Sequence, residues 1–557
     1  MSALFSLPPA ARTAASDWWR DAVIYQVYPR SFADSNGDGI GDLPGITSRL
    51  DAIAELGADA VWLSPFMTSP QRDAGYDVSN YCDVDPLFGT LADFDALLNR
   101  SHELGMRVIV DLVPNHCSSD HPWFQEALAA GPGSAERARF MFREGKGEHG
   151  ELPPNNWESV FGGPAWTRVT EADGQPGQWY LHLFDSSQPD FDWTNRWVHD
   201  RFIEILTFWL DRGIDGFRVD VAHGLSKAPG LPDFRRDETY WNTPAELRPE
   251  NPYFGHDGVH PIYREWRTLL ESYGPDRILC AEAFVEPLSA KAKWVRPDEM
   301  HQAFNFSFLT TRWNGEQMRR VITDSLVAFG NVGAPSTWVL SNHDQVRHAT
   351  RLALDPNAAV ADRITGIGPL TEPKPDAELG LRRARAATLM MLALPGVAYL
   401  YQGEELGLPE AVDIPDAFRQ DPTFFRTEGA EYGRDGCRVP LPWEAESPSY
   451  GFGRSEHSWL PQPSQWSEFA RDRQRGIAGS TLELYRGALA LRAELGLGRG
   501  TLEWITAPEG VIGFANSGVR VYINYGNQSH GIPLGERMLD SEPGLTALEP
   551  GTAVWLR

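Results

Sequence analysis

The sequence predicts an α/β protein built on a parallel (β/α)8 barrel and ending in an all-β C-terminal domain, and three observations carry that reading. Short apolar runs of strand length recur along the chain, each followed by a helical pattern, as alternating barrel units require. Three of these runs end in a carboxylate: Asp220 after Gly216-Phe217-Arg218-Val219, Glu282 after Ile278-Leu279-Cys280-Ala281, and Asp344 after Leu340-Ser341-Asn342-His343. Parallel barrels gather their reactive groups at such C-terminal strand ends. From about Gly496 the pattern changes to short β alternations, such as Val511-Ile512-Gly513-Phe514 and Val519-Arg520-Val521-Tyr522. At 557 residues the chain has room for a large barrel and one or two smaller domains.

Taken in order, the expected barrel strands are residues 22–28, 58–65 and 107–114, a fourth ending at Asp220, and then 277–283, 302–308, 337–342 and 396–403. A helical pattern over 197–212 delivers the chain to the fourth. Residues two apart in a strand share a face. Arg218 is therefore expected beside Asp220, holding it ionised, with Phe217, Val219 and Val221 on the opposite face. Glu282 has no adjacent basic residue in sequence, which leaves its pKa free to rise as an acid catalyst's should.

The formal net charge of -26 argues against nucleic acid or an acidic membrane surface as a partner. The four cysteines, Cys82, Cys117, Cys280 and Cys437, show no C-x-x-C spacing, so neither a zinc site nor a disulfide framework is expected, and a reducing, cytoplasmic setting is favoured. Residues 1–16 lack a basic segment followed by an apolar core, so no secretory signal is expected. The longest apolar run, 388–401, is interrupted by Pro395 and is too short to span a bilayer. Oligomeric state is not set by the sequence. Residues 34–42, Asp-Ser-Asn-Gly-Asp-Gly-Ile-Gly-Asp, place oxygen donors at alternate positions among glycines. The opening is that of an EF-hand, but the twelfth position is Gly45 and a strand precedes the loop. On its residues alone the loop is either a solvated Asx-turn loop or a hard-cation site.

Gly216-Phe217-Arg218-Val219-Asp220-Val221, Ala281-Glu282-Ala283-Phe284 and Asn342-His343-Asp344, together with Asp111-Leu112-Val113-Pro114-Asn115-His116, resemble the ordered motifs of the alpha-amylase superfamily of glycoside hydrolases. The resemblance implies a TIM barrel over 1–116 and 186–495, a small domain inserted after the third strand over 117–185, and a C-terminal β-sandwich over 496–557. Residues 117–185 agree with that implication, being rich in Gly, Pro and Trp and too long for one loop; they include Phe161-Gly162-Gly163-Pro164. The stretches 228–260 and 355–378 read as Pro-rich loops, the first expected over the site.

The same resemblance implies roles for individual residues. Asp220 is the implied nucleophile, Glu282 the acid/base and Asp344 the group that favours the distorted sugar ring, with His116 and His343 as further donors. Gln71-Arg72-Asp73-Ala74-Gly75-Tyr76-Asp77 is similar to the loop that grips a terminal glucose, which implies Asp73 and Tyr76 as sugar ligands and Arg438 as the partner of Asp73. Phe161, Phe184 and Gln188 complete the implied substrate-binding set; Gln188 opens a segment similar to the QPDLN motif of oligo-1,6-glucosidases, with Phe191 and Asp192 in place of its Leu and Asn. Val221, after the nucleophile, implies acceptance of α-1,6 bonds. The 34–42 loop is similar to the calcium loop of bacterial alpha-glucosidases, implying structural Ca2+ on Asp34, Asn36, Asp38, Asp42 and the Ile40 carbonyl. The implied activity is that of a retaining exo-α-glucosidase on short α-glucosides such as maltose and isomaltose. Its rivals are a glucosyl transferase or isomerase of the trehalose or sucrose type, and a non-catalytic interaction subunit. Retention of all three carboxylates argues against the last.

Overall fold

The computed structural model describes residues 17–235, 243, 247–354 and 366–557; the leader 1–16 and parts of the loops 228–260 and 355–378 lie outside the described residues. Among these residues one sheet holds eight parallel strands, Val23–Val27, Ala60–Leu63, Arg107–Leu112, Gly216–Val219, Ile278–Ala281, Gln302–Ala303, Thr337–Val339 and Val397–Tyr401. Numbered in that order, they pair six, five, four, three, two, one, eight, seven. A parallel bridge between Phe304 and Thr337 joins the two ends and closes the barrel. The strands are buried on both faces because helices cover the outside, which is why they read as continuous apolar runs rather than alternations.

Ile24, Ala60, Ile109, Ile278 and Val397 belong to one buried cluster of alternate strand positions. A Cβ on Gly216 would lie 2.5 Å from the Ile278 carbonyl oxygen, so only glycine fits where the fourth strand approaches the fifth. Two residues further along stand Gln26, Trp62, Asp111, Arg218 and Cys280, all buried, and it is this polar level that carries the site. Side-chain caps start several of the outer helices. Asp42 accepts from Gly45 N–H at the head of Leu43–Leu56, Thr90 and Asp93 form a capping box at Leu91–Glu103, and Asn195 starts Arg196–Asp211.

Two expectations need correction. The sixth strand stops at Ala303 rather than running to Phe308, because Asn305 accepts from the Phe308 N–H and caps a helix, Phe306–Thr310. The C-terminal region is not a sandwich. Among the described residues it is one five-stranded antiparallel sheet, and the helix Ala377–Ala393 takes the place of a second sheet, with Trp555 Nε1 donating to the Leu389 carbonyl. Residues 117–185 contain the helix Pro122–Ala130 and a three-stranded antiparallel sheet of Phe142–Arg143, Trp166–Thr170 and Pro176–Leu181. Met141, Trp157, Trp166 and Leu183 make a small core of their own with Tyr253, while Phe124, Phe140 and Tyr180 join the main core.

Beyond the eighth strand, Glu404 is buried, and burial pushes its carboxyl up to about 8. The folded protein therefore keeps a proton that the unfolded chain releases near the ordinary carboxylate range. This contribution to stability is full at low pH and is lost as pH rises from that range through about 8. Glu404→Gln, a permanently neutral mimic, is expected to gain melting temperature relative to wild type as pH is raised from 5 to 9. A difference that stays constant across that range would show that Glu404 is already ionised in the native protein.

Candidate active site

The site grows from Arg218, the third residue of the fourth strand, which is 1% exposed. Its Nη1 donates to Asp111 Oδ1 at 2.8 Å and to Asp220 Oδ1 at 2.7 Å, and its Nη2 lies 2.9 Å from Glu282 Oε2. The guanidinium packs over the rings of Trp62 and Tyr76. Parallel register sets Val219 against Ala281 on one side and Leu112 on the other, so the next residues on strands four and five, Asp220 and Glu282, emerge side by side. The expectation that Glu282 has no basic neighbour is thus corrected: its cation arrives across the sheet, where sequence adjacency is blind.

The electrostatics of Asp220 also differ from expectation. Burial and the neighbouring Glu282 carboxylate push its pKa well up, against the pull of Arg218. Arg218 is shared among three carboxylates and does not hold Asp220 ionised by itself. Asp220 is thus the carboxyl that keeps a proton beside Glu282, because a second charge there would face both burial and its neighbour. Asp111, on the third strand, is pushed by burial up to about 7 and accepts from Tyr76 Oη and Trp62 Nε1.

Val221 does not continue the strand onto an opposite face. Its backbone turns to φ 43°, sparsely populated ground for a β-branched residue, and this points its N–H at Glu282 Oε2, 3.0 Å away, and its side chain into the cavity. The cavity has a volume of about 690 Å3. Of the residues expected in the site, Asp73, Tyr76, His116, Phe161, Phe184, Asp220, Val221, Glu282 and Asp344 line it. Gln188, Arg218, His343 and Arg438 stand behind the lining and hold it.

Asp344 accepts from Arg438 Nη2 at 2.9 Å and Arg434 Nη1 at 3.3 Å, with His343 Nε2 at 3.2 Å. Burial raises its pKa, but His343, Arg434 and Arg438 outweigh this and hold it well below the usual carboxylate range. His343 is stacked on Tyr76 and kept neutral by burial, and its Nε2 lies 2.6 Å from Tyr76 Oη. His116 is lowered by burial to about 4. Gln188 Nε2 donates to Asp73 Oδ2 and lies 3.3 Å from His116 Nε2.

Asp73 is not paired with Arg438. Arg434 takes that place, with Nη2 donating to Asp73 Oδ1 at 2.7 Å, while Arg438 bonds Asp344 and the His343 carbonyl. The reason is local. The two arginines flank the short turn Asp435–Cys437, which sends the earlier one to Asp73 and the later one to His343 and Asp344 beyond the seventh strand. Arg434 is the functional residue that sequence reasoning missed. The signal was present, since it lies within the stretch that supplied Arg438, but spacing alone does not say which of two arginines four residues apart reaches the aspartate.

The 34–42 loop is held by its own side chains. Asp34 accepts from the N–H groups of Asn36, Gly37 and Gly39, Asn36 from Asp38 N–H, Asp38 from Ile40 N–H, and Asp42 from Ser35 and Gly45. Among the described residues no three Asp, Glu, His or Cys side chains are grouped to hold a metal. Any cation here would rely on the mixed set of carboxylates, the Asn36 amide and the Ile40 carbonyl, with each carboxylate already accepting backbone N–H groups.

Fold and site together define a class, that of (β/α)8-barrel enzymes with a carboxylate pair at the C-terminal strand ends. Residues 26–497 match the alpha amylase catalytic domain, and the chain belongs to that family of glycoside hydrolases. It is 39% identical over 521 residues to a probable alpha-glucosidase of Rhizobium meliloti (strain 1021), covering 90% of this chain and 87% of that one. It is 33% identical over 504 residues to a probable oligo-1,6-glucosidase of Bacillus subtilis (strain 168), covering 85% and 84%. Among solved structures it is similar to an alpha-glucosyl transfer enzyme at 34% identity and a TM-score of 0.81, covering 97% of this chain and 99% of that one.

Proposed function

We propose that the protein is a retaining exo-α-glucosidase that releases the non-reducing-end glucose of short α-glucosides. The observation that carries this is the placing of Asp220 and Glu282 on adjacent strand ends, on one arginine, in a cavity that also holds the Asp73–Arg434 pair. Neighbouring strands are about 4.8 Å apart, which suits a nucleophile and an acid/base in double displacement rather than a pair spread to admit water between them. In the first step the proton kept on Asp220 passes to the adjacent Glu282, an Asp220 oxygen bonds the anomeric carbon as its bond to the glycosidic oxygen breaks, and Glu282 gives that oxygen the proton. In the second step Glu282 takes a proton from water, whose oxygen bonds the anomeric carbon and releases Asp220. Asp344 and Arg434 hold sugar hydroxyls throughout.

The test is to incubate the protein separately with maltose, isomaltose, sucrose, trehalose and starch and to follow products by NMR. Glucose from the disaccharides, first formed as the α anomer, is expected, with starch a poor substrate. A β anomer or rapid thinning of starch would overturn the reading. A second reading, transfer of the glucosyl unit to a sugar, is favoured by the mouth of the cavity, where Phe254, Phe284, Val285 and Phe306 offer an apolar surface and Phe284 is 47% exposed. Such a surface holds an acceptor and competes with water. Its mark in the same experiment is a rearranged disaccharide in place of free glucose.

We further propose, on the sequence of the 34–42 loop, that it binds Ca2+ and that the metal adds stability without entering the chemistry. Chelation is expected to lower the melting temperature by several degrees and calcium to restore it; an unchanged melting curve after verified metal removal would return the loop to a set of Asx turns. A cytoplasmic location is supported by the four cysteines, all free thiols, three of them buried. Among the described residues no helix is long and apolar enough to cross a membrane.

A further inference from the structure

We propose that Arg426 is a positioning residue that sets the depth of the pocket, by bolting the short helix Pro422–Arg426 to the Phe161-Gly162 turn beside the sugar clamp. The inference rests on the exo-acting reading above. The helix is anchored at both ends. At its start Asp421 caps it through the Thr423 N–H and also pairs with Arg434, the arginine that grips Asp73. At its end Arg426 reaches across to the region inserted after the third strand. Its Nε and Nη2 donate to the Gly162 carbonyl at 2.9 and 2.6 Å, and its Nη1 lies 3.2 Å from Asp185 Oδ2. Thr423 and Phe161, one on each side of this join, both line the cavity.

The turn is built to be held there. Gly162 and Gly163 have φ of 95° and 73°, and a Cβ on Gly163 would press on Arg426 Nη2 at 3.3 Å. Arg434 covers the Phe161 ring at 4.9 Å from the same side. Asp185 passes the constraint on, because its backbone N–H donates to Gln188 Oε1 and Gln188 Nε2 donates to Asp73. A closed chain therefore runs from Arg426 through Asp185, Gln188, Asp73, Arg434 and Asp421 back to the helix. Arg426 touches none of the groups that form or break bonds. Its work is to keep the wall at Phe161 shut behind one sugar unit.

The experiment compares wild type, Arg426→Ala, Arg426→Lys and Asp185→Asn on maltose and on a maltooligosaccharide blocked at its terminal non-reducing hydroxyls, which only internal cleavage consumes. For Arg426→Ala the KM for maltose is expected to rise about tenfold or more, the size of losing charged hydrogen bonds, with kcat moving far less. The blocked chain should become a substrate, and added guanidinium should partly reverse both changes. Arg426→Lys, which lacks the fork, should fall between. Asp185→Asn keeps the shape and removes only the ion pair, so it should shift KM in the same direction even if the alanine variant does not fold. A folded Arg426→Ala or Asp185→Asn protein with wild-type KM and no cleavage of the blocked chain overturns the latch. Wild type cutting the blocked chain overturns the closed pocket and the latch together, whereas wild type inert on every disaccharide overturns the functional reading by itself.

Discussion

Asp220→Asn is expected to leave a folded protein with maltose turnover reduced about 10^4-fold or more, the scale on which removal of a nucleophile acts. Asparagine fills the same space but forms no glycosyl ester. The stability outcome has a definite sign. Burial and Glu282 hold the Asp220 pKa above its ordinary value, so the native protein keeps a proton there that the unfolded chain loses, and this stability drains away as pH rises. The neutral amide escapes that loss. Asp220→Asn should therefore melt at or above the wild-type temperature, with the gain widening toward alkaline pH. Turnover above a few per cent of wild type would remove Asp220 from the nucleophile's place, and a melting temperature that falls with rising pH relative to wild type would contradict the electrostatics.

Arg434→Met is expected to be the most damaging change outside the catalytic pair. Arg434, with a side chain only 11% exposed, pairs with Asp73, Asp344 and Asp421, and all three bonds are lost at once. Breaking one side of a buried ion pair costs about 3–5 kcal/mol of stability, because the stranded charge remains. Asp344, now held by Arg438 and His343 alone, would also be less firmly placed for the sugar. A loss of about 3 kcal/mol in transition-state binding is roughly a 100-fold fall in kcat/KM. Arg434→Lys keeps the charge without the fork and should recover part of it. Circular dichroism melts and maltose kinetics on both variants check this. A folded Arg434→Met enzyme with near-wild-type kcat/KM would show that Asp73 and Asp344 do not need the clamp.

The barrel was legible because its strands are covered on both faces and so leave uninterrupted apolar runs, each with a carboxylate or turn at its end. The sixth strand was overread because Phe306 and Phe308 are apolar in either conformation, and the deciding residue was the cap, Asn305. The C-terminal domain gave its strands but not its layers. Alternation shows that one face is buried, without saying whether a sheet or the helix Ala377–Ala393 covers it. At the site, the carboxylates were readable from their place at strand ends, whereas their partners were not. Arg218 meets Glu282 across strands 64 positions apart in sequence, and Arg434 meets Asp73 across 361. Contacts of that separation leave no local periodicity to read.

The sharing of one guanidinium among Asp111, Asp220 and Glu282 has a consequence for what the pocket prefers to hold. Fully ionised, the four groups carry more negative than positive charge in a place from which water is largely kept out, and the proton kept on Asp220 relieves only part of the excess. A resting sugar is neutral and does nothing to correct this. An anomeric carbon that is shedding its substituent is not neutral, since positive charge spreads over that carbon and the ring oxygen at the moment the bond lengthens. The pocket is thus an electrical mould cast for a cation that exists only in passing. Small amines that mimic that fleeting charge should bind more tightly than glucose itself, and their grip should strengthen as Asp220 gives up its proton and fade as the amine gives up its own.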